Sequence, residues 1–446
     1  MSYGILNWTH RGECGKIDVS NFCEGGGYTV DWLELLQAVN KGVAVFLSVC
    51  YFYHILYLIL PWLKKNRQQK EGKLHRFAIL IAARNEEAVL PHLLESIRAQ
   101  DYPAELLTVY VVADNCSDAT AQIARDHSAR VFTRFNREKV GKGYALHDLL
   151  EFIRQSGEMD SFDAFLVFDA DNLLMPDYVR SINRLCADGY KAFCGYRNTK
   201  NFGTNWLTSG YGLIFLHDCV HMNRSRMALG GSCLVSGTGF GFTRQLIEQI
   251  GGWDFFTLTE DTQFSFWCAS HGVRIGYCQE AMLFDEQPTT FAQSWRQRTR
   301  WVQGSFQVAV RHGGDLVHGI CMGGALGYSC FEFMTMSLWG YGLAALSALT
   351  GLLCVFLDQG WLAGLYALGW SLLGAYQSLF LIGVLTLLSQ WRKIRATKLE
   401  KLCSVVTFPV FMLSFVPIAL AAPFQKFHWK PIHHNVAVSA ESLMKK

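Results

Sequence analysis

Two kinds of apolar segment organise the chain. From Gly42 to Leu63 the run GVAVFLSVCYFYHILYLILPWL carries no Asp, Glu, Lys or Arg, and about 20 such residues are what a helix needs to cross the hydrocarbon layer. Three comparable runs follow near the C-terminus, at 336–357, 361–388 and 403–424. In between, from His75 to about Gly319, the apolar period shortens. Phe77–Ala83 (FAILIAA), Leu107–Asp114 (LTVYVVAD), Ala129–Arg134 (ARVFTR) and Ala164–Asp171 (AFLVFDAD) read as strands, and Glu86–Gln100, Asp118–His127 and Lys142–Ser156 as amphipathic helices. Near-continuous apolar strands alternating with helices predict an α/β, Rossmann-like domain whose mostly parallel sheet is covered on both faces. Ligands of such sheets sit beyond the carboxyl ends of the strands, so the polar residues that close these runs are the first candidates for chemistry.

Charge sets the expected topology. Lys64, Lys65, Arg67, Lys70 and Lys73 follow the first span, and Arg392, Lys393, Arg395, Lys398 and Lys401 follow the third. The positive-inside bias places both flanks in the cytoplasm. The predicted organisation is an outer segment 1–41, a transmembrane helix 42–63, a cytoplasmic domain 75–313 ending in an interfacial helix 291–313, transmembrane or interfacial helices within 325–424, and a tail 425–446. The first run starts some 40 residues in, without a basic n-region or a small-residue cleavage site, which predicts an anchor in place of a removable signal. Pro409, Pro417 and Pro423 interrupt the last run; a full crossing leaves the tail outside, a re-entrant segment leaves it inside, and the reading leans to a cytoplasmic tail. The location expected is the plasma membrane, with multiple passes. Half the residues are apolar, 17% are charged, and the net charge of +3 is explained by the juxtamembrane Lys and Arg, so nothing points to nucleic acid. The 14 cysteines are scattered and include no CxxC pair, so neither a zinc site nor a disulfide framework is indicated. Cys14 and Cys23 read equally as a disulfide or as two free thiols.

Four constellations carry the candidate chemistry. VFDADN puts Asp169 and Asp171 at the end of a strand; in extended chain residues i and i+2 point to the same side, so the pair suits one hard cation whose shell is completed by phosphate oxygens. A turn is the plainer alternative. Asp114 ends a neighbouring strand, where it suits a nucleobase edge or an Asx-turn. EKVGKGYAL sets Lys142 between two glycines at a helix start, a place for phosphate. LTEDTQF puts Glu260 and Asp261 at a turn before a helix, as caps or as a general base. Finally, SWRQRTRWVQGSF holds three arginines and two tryptophans between Trp295 and Trp301. On a helix Gln297 and Trp301 lie one turn apart, with arginines suited to phosphate. The same segment suits a helix lying on membrane lipid, basic toward headgroups.

Taken in order, Asp114, Asp169-Ala170-Asp171, Thr259-Glu260-Asp261 and Gln297-Arg298-Thr299-Arg300-Trp301 resemble the D, DxD, (T/E)ED and Q(Q/R)xRW series of family 2 glycosyltransferases with a GT-A fold, above all the membrane-embedded hyaluronan, poly-N-acetylglucosamine and cellulose synthases. The likeness covers roughly 75–313 by motif and the later spans by architecture; residues 1–41 have no counterpart. It implies that Ala82, Arg84, Glu86 and Asp114 hold the uridine of a UDP-sugar, with Lys142 near its diphosphate. Asp169 and Asp171 would approach the nucleotide and Mg²⁺ or Mn²⁺, Asp171 being the direct ligand. Asp261 would be the base, Gln297 and Arg300 would hold pyrophosphate, and Trp301 would stack the acceptor sugar. SGTGFGF, with Gly237, Thr238 and Gly239, is similar to the family's acceptor-site stretch, to which Glu260 also belongs.

The FxVT gating loop of cellulose synthases is absent, FHWKPIHH (Phe427–His434) being a candidate gating loop of another type, and the long C-terminal regulatory part of the bacterial enzymes is missing. The resemblance therefore implies an inverting enzyme that adds a sugar, of the UDP-GlcNAc or UDP-Glc type, to a growing β-linked polysaccharide and couples this to export. The rivals are a single-transfer glycosyltransferase with a lipid acceptor, because glycolipid enzymes can share the QxxRW series, and a non-catalytic nucleotide-sugar or glycan receptor. Three or four spans make a small channel, so a homo-oligomer is a further expectation. Glu332 reads as a lining of a polar path or as a residue of the headgroup boundary.

Overall fold

The computed structural model describes residues 31–63, 72–425 and 436. The cysteine pair Cys14 and Cys23, the basic cluster from Lys64 to Lys70 and the candidate gating loop Phe427–His434 lie outside them. The chain divides into two compact units, Met1–Phe52 with Gly340–Gly374, and Tyr53–Trp339 with Ala375–Lys446.

In the first unit the helix Trp32–Tyr51 begins at an Asp31 cap, whose Oδ1 accepts the N–H groups of Leu33 at 2.9 Å and Glu34 at 3.3 Å. Near its middle, Asn40 Oδ1 accepts the hydroxyls of Ser347 at 2.8 Å and Thr350 at 2.9 Å. Hydrogen bonds between helices take the place of hydrophobic attraction where the surroundings are themselves apolar. The expected spans 336–357 and 361–388 fall in the helical stretch Leu338–Gln390, which is broken at Gly360, whose φ of 83° and ψ of 177° no helix contains. Among the described residues, three helical stretches are long and apolar enough to cross a membrane: Trp32–Leu63, Trp339–Gln390 and Lys398–Phe424. In the last, the helices Lys398–Leu413 and Phe415–Ala421 meet at Ser414, with Pro409 inside the first.

The second unit is built on an eight-stranded sheet: β1 (Phe77–Ala83), β2 (Leu107–Asp114), β3 (Arg130–Arg134), β4 (Ala164–Asp169), β5 (Leu173–Leu174), β6 (Ala192–Thr199), β7 (Phe240–Thr243) and β8 (Ile275–Asp285). Their order is β3-β2-β1-β4-β7-β6-β8-β5. β3, β2, β1 and β4 are parallel, as are β6 and β8, while β7 runs antiparallel between the two groups. Alternate residues of β1 serve opposite faces. Ala78 and Leu80 pack with Leu146, Leu149 and Leu150 of the helix Lys142–Gln155, and Phe77, Ile79 and Ile81 pack with Leu90, Leu93 and Ile97 of the helix Leu90–Arg98. Each such leucine, isoleucine or phenylalanine contributes about 1.5–3 kcal/mol by leaving water, so a strand apolar at every position is held from both sides. The sheet is the GT-A-like, mostly parallel one expected. The first four strands fall where the apolar pattern put them; β5 to β8 were not foreseen.

Two expectations are corrected. β4 stops at Asp169, so Asp169 and Asp171 do not project together from extended chain: Asn172 N–H closes a turn on the Asp169 carbonyl at 3.1 Å. Glu332 lines no path and meets no headgroup boundary. It is fully buried, its Oε1 accepting Arg226 Nε at 2.7 Å and its Oε2 the Tyr57 hydroxyl at 3.0 Å.

Candidate active site

The polar ends of β1, β2 and β4 come out side by side, because the register sets Ala82 between Val112 and Asp169. Just past β1 and β2 the chain turns at Asn85 (φ 57°) and Asn115 (φ 53°), in a region asparagine tolerates better than most side chains. Asp114 is buried and Arg134, its register partner on β3, clamps it: Nη1 donates to Asp114 Oδ1 at 2.7 Å, Nε to Asp148 Oδ2 at 2.6 Å, and Nη2 to the Lys139 carbonyl at 2.7 Å. Burial pushes the Asp114 carboxyl up, against the pull of Arg134. Ala82, Arg84 and Glu86 stand half-buried along the same rim, with the Glu86 N–H on Thr120 Oγ1 at 2.8 Å.

The turn after β4 is locked to the SGTGF stretch. Asp169 N–H donates to Thr238 Oγ1 at 2.9 Å, and that hydroxyl donates to Asn172 Oδ1 at 2.5 Å. Gly237 and Gly239 have φ of 84° and 64°, conformations that only glycine adopts freely; a Cβ on Gly239 would also fall 2.1 Å from Leu283 Cδ2. Lys142, from the start of its helix, donates to Asp169 Oδ1 at 2.5 Å and to the Gly237 carbonyl at 2.8 Å. Asp171 lies deeper, 4% exposed, its Oδ2 accepting the Glu286 N–H at 2.8 Å. From the other side the Val436 N–H reaches Glu286 Oε2 at 2.9 Å.

Facing these are Glu260 and Asp261, in the first turn of the helix Glu260–Ser270. A Cβ on Gly143 would meet the Phe255 carbonyl at 2.1 Å and Glu260 Cβ at 3.4 Å, so the glycine beside Lys142 lets the two helix starts touch. Burial, and then the Asp261 charge, push Glu260 up to about 7, while Lys142 and Arg300 pull the other way. Burial raises Asp261 too, opposed by the Thr262 N–H, Arg300, Lys142 and the Gly237 N–H. Two carboxyls in one place cannot both ionise easily.

The basic-aromatic helix runs from Phe291 to Met322, longer than the 291–313 expected. It lies against the residue before Glu260: a Cβ on Gly304 would sit 2.6 Å from Thr259 Oγ1. This brings Arg300 to the carboxyl pair. Gln297 Oε1 is buried with no hydrogen-bond partner among the described residues. Trp301 is half-buried, edge-on to Tyr211 and Phe215 with ring centroids 5.7 and 6.1 Å away. Arg298 turns inward and leaves the site. It donates to Ser414 Oγ at 2.7 Å and the Phe411 carbonyl at 3.2 Å, its guanidinium 4.7 Å from the ring centroids of both Phe411 and Phe415.

Among the described residues, no three His, Cys, Asp or Glu side chains gather as a metal cage. The donor set is two aspartates of one turn, Asp169 paired with Lys142 and Asp171 with the Glu286 N–H. That fits a cation of the Mg²⁺ or Mn²⁺ kind, which binds through one or two carboxylates and takes the rest of its shell from phosphate and water.

The sequence missed three residues at this site: Arg134, Asn172 and Glu286. Of these Arg134, which closes β3 as Asp114 closes β2 and Asp169 closes β4, left a signal of the kind already in use.

Residues 75–304, just over half of the chain, match the family described as "Glycosyltransferase like family 2". A β-monoglucosyldiacylglycerol synthase of Synechocystis is 28% identical over 235 residues, 51% of this chain and 47% of that protein. A poly-β-1,6-N-acetyl-D-glucosamine synthase of Staphylococcus epidermidis is 26% identical over 256 residues, 56% of this chain and 58% of that protein. The chain thus spans about half to three-fifths of the length of these relatives. In fold it is similar to the mannosyltransferase PcManGT of Pyrobaculum calidifontis, solved with GDP-Man and Mn²⁺, at a TM-score of 0.53 and 17% identity, with 86% of this chain and 99% of that one covered. With its strand-end carboxylates set in a GT-A-like sheet and over half its length inside the family's match, the chain belongs to glycosyltransferase family 2.

Proposed function

We propose that the protein is an inverting glycosyltransferase that moves a sugar from a UDP-sugar to the end of a growing β-linked polysaccharide, at the cytoplasmic face of the plasma membrane and coupled to export. The observation that carries the reading is the convergence of Lys142 and Arg300, two cations suited to a diphosphate, on the buried Glu260 and half-buried Asp261 carboxyls and on the Gly237 turn.

Ala82, Arg84, Glu86 and Asp114 hold the uridine along the β1–β2 rim. Lys142, Gln297 and Arg300 hold the diphosphate, and Asp169 approaches the nucleotide. Asp171, with Asp169 beside it, would hold Mg²⁺ or Mn²⁺, which when bound supplies charge neutralisation for the leaving group. Gly237, Thr238, Gly239, Glu260 and Trp301 form the acceptor side. An acceptor hydroxyl gives its proton to the Asp261 carboxylate as its oxygen bonds the anomeric carbon from the face opposite UDP. The bond from that carbon to the diphosphate oxygen breaks, and UDP leaves with the electron pair. Fixed cations at the point where charge develops are usually the largest single contribution to such catalysis.

The Synechocystis relative, named as a glycolipid synthase, favours a second reading: one transfer to a diacylglycerol-type lipid. A single experiment separates the two. The protein in lipid nanodiscs is given radiolabelled UDP-glucose, UDP-N-acetylglucosamine, UDP-galactose or UDP-glucuronate with Mn²⁺; UDP release is followed, and the product is extracted and sized. Label in high-molecular-mass polymer is the expected result. Label confined to an organic-soluble glycolipid replaces the polymer reading, and no UDP release from any donor overturns both.

A further inference from the structure

Two charged residues behind the site have no part in the mechanism so far. Arg197 on β6 and Asp285 at the end of β8 form an ion pair, Nε donating to Oδ2 at 2.6 Å, with side chains 12% and 3% exposed. β6 carries a register shift against β8 between Cys194 and Tyr196, and bulges of this kind re-aim the side chains next to functional sites.

Each partner has a second attachment, and the two attachments lead to opposite halves of the site. Arg197 Nη1 donates to the Ser236 carbonyl at 2.5 Å, and the guanidinium stacks 3.6 Å from the Phe215 ring centroid, leaving it little freedom. Ser236 begins the turn whose Gly237 gives its N–H to Asp261 and its carbonyl to Lys142. Asp285 precedes Glu286, whose N–H holds Asp171. A Cβ on Gly237 would lie 3.6 Å from Arg197 Nη1 and 3.9 Å from Asp261 Oδ2, so guanidinium, turn and base are stacked in contact.

We propose that Arg197 and Asp285 are a positioning pair, a strut that fixes the distance between Asp261 on the acceptor side and Asp171 on the cation side. The proposal rests on the roles given to those two aspartates above. A buried ion pair is no better for stability than apolar side chains of the same volume, so stability alone does not account for its presence. Directional bonds at both ends do what apolar packing does not: they hold two turns in register, and a misplacement of about 1 Å between reacting groups costs about 100-fold in rate.

The test uses the full chain in nanodiscs and the variants Arg197→Gln, Asp285→Asn, Arg197→Lys and the double variant Arg197→Gln/Asp285→Asn. Each single neutralisation leaves one buried charge without its ion-pair partner and lowers the melting temperature; the double variant leaves neither and regains it. The expected result is that the double variant, though as stable as the wild type, stays about 100-fold down in kcat, with KM for the UDP-sugar changed less than threefold because Lys142, Asp114 and Arg300 are untouched. Arg197→Lys, which keeps the charge but not the two-branched contact, falls in between. A double variant with wild-type kcat overturns the proposal, as does a loss carried entirely by KM. If the single variants do not fold, the double variant carries the test. Asp261→Asn is measured in parallel. Wild-type turnover there refutes the base assignment and the strut with it, whereas a normal loss there beside an unaffected double variant refutes the strut alone.

Discussion

Replacing Asp261 by asparagine is the most informative single perturbation of the proposed mechanism. The substitution keeps size and shape, and its amide oxygen can still accept the Gly237 N–H that the carboxylate takes now. What it removes is the capacity to take a proton. General bases contribute about 10²–10⁴ to rate, so the barrier should rise by about 3–5.5 kcal/mol at 1.36 kcal/mol per decade. Nucleotide binding should move the other way. Lys142 and Arg300 face both Asp261 and the diphosphate; losing a competing negative charge frees them, and UDP should bind as well as before or up to about tenfold tighter, ~1.4 kcal/mol. Glu260, no longer beside a second carboxylate, should also ionise more readily. The assay is UDP release under saturating donor in nanodiscs, with UDP affinity measured by calorimetry on the same preparation. Turnover within tenfold of wild type refutes the base assignment. A parallel loss of UDP affinity refutes the division of labour between Asp261 and the cations.

Lys142→Met removes the ammonium from Asp169 and the Gly237 carbonyl; at about 1.5–3 kcal/mol for bonds to a charged group, UDP affinity should fall about 10- to 100-fold by calorimetry, and an unchanged affinity would remove Lys142 from the diphosphate site. Glu260, raised from 4.5 to about 7 by burial and by Asp261, holds a proton in the folded chain that the unfolded chain releases near 4.5. Its contribution to stability is therefore complete at low pH and is lost as pH rises from about 4.5 to 7. Glu260→Gln should flatten the dependence of melting temperature on pH in that window, and an unaltered slope would show that the proton sits elsewhere. Glu332→Ala leaves Arg226 buried without its partner, which should destabilise by about 3–5 kcal/mol. Thermal unfolding in detergent should register this and should recover in the double variant with Arg226→Met; failure to recover would mean that the pair has a further task.

Much of this protein is legible without coordinates. Phe77–Ala83 and Leu107–Asp114 are legible residue for residue, because strands covered on both faces are almost continuously apolar and end abruptly in polar residues. The span Gly42–Leu63 and the later runs are equally plain, since no charged side chain is tolerated along them. The motifs named Asp114, Lys142, Asp169, Asp171, Glu260, Asp261 and Arg300, and the fold brings Lys142 to Asp169 and Arg300 to the carboxyl pair.

Other features depended on contacts far apart in sequence. Asp169 and Asp171 look like one pair facing one way, yet a single turn, closed by Asn172 and Thr238, sends one to Lys142 and the other to the Glu286 N–H. Arg298 and Arg300 look interchangeable in SWRQRTRWVQGSF, but two residues are 200° apart around a helix, so one enters the core against Phe411 and Phe415 while the other stays at the site. Glu332, by its position a candidate for a path or a headgroup boundary, is closed in by Arg226 and Tyr57, 106 and 275 residues away. Local apolar period and strand-end polarity are properties of neighbouring residues, and the sequence alone determined them. Which charge meets which is a property of residues that only the folded chain brings within 3 Å, and the tertiary structure alone decided it.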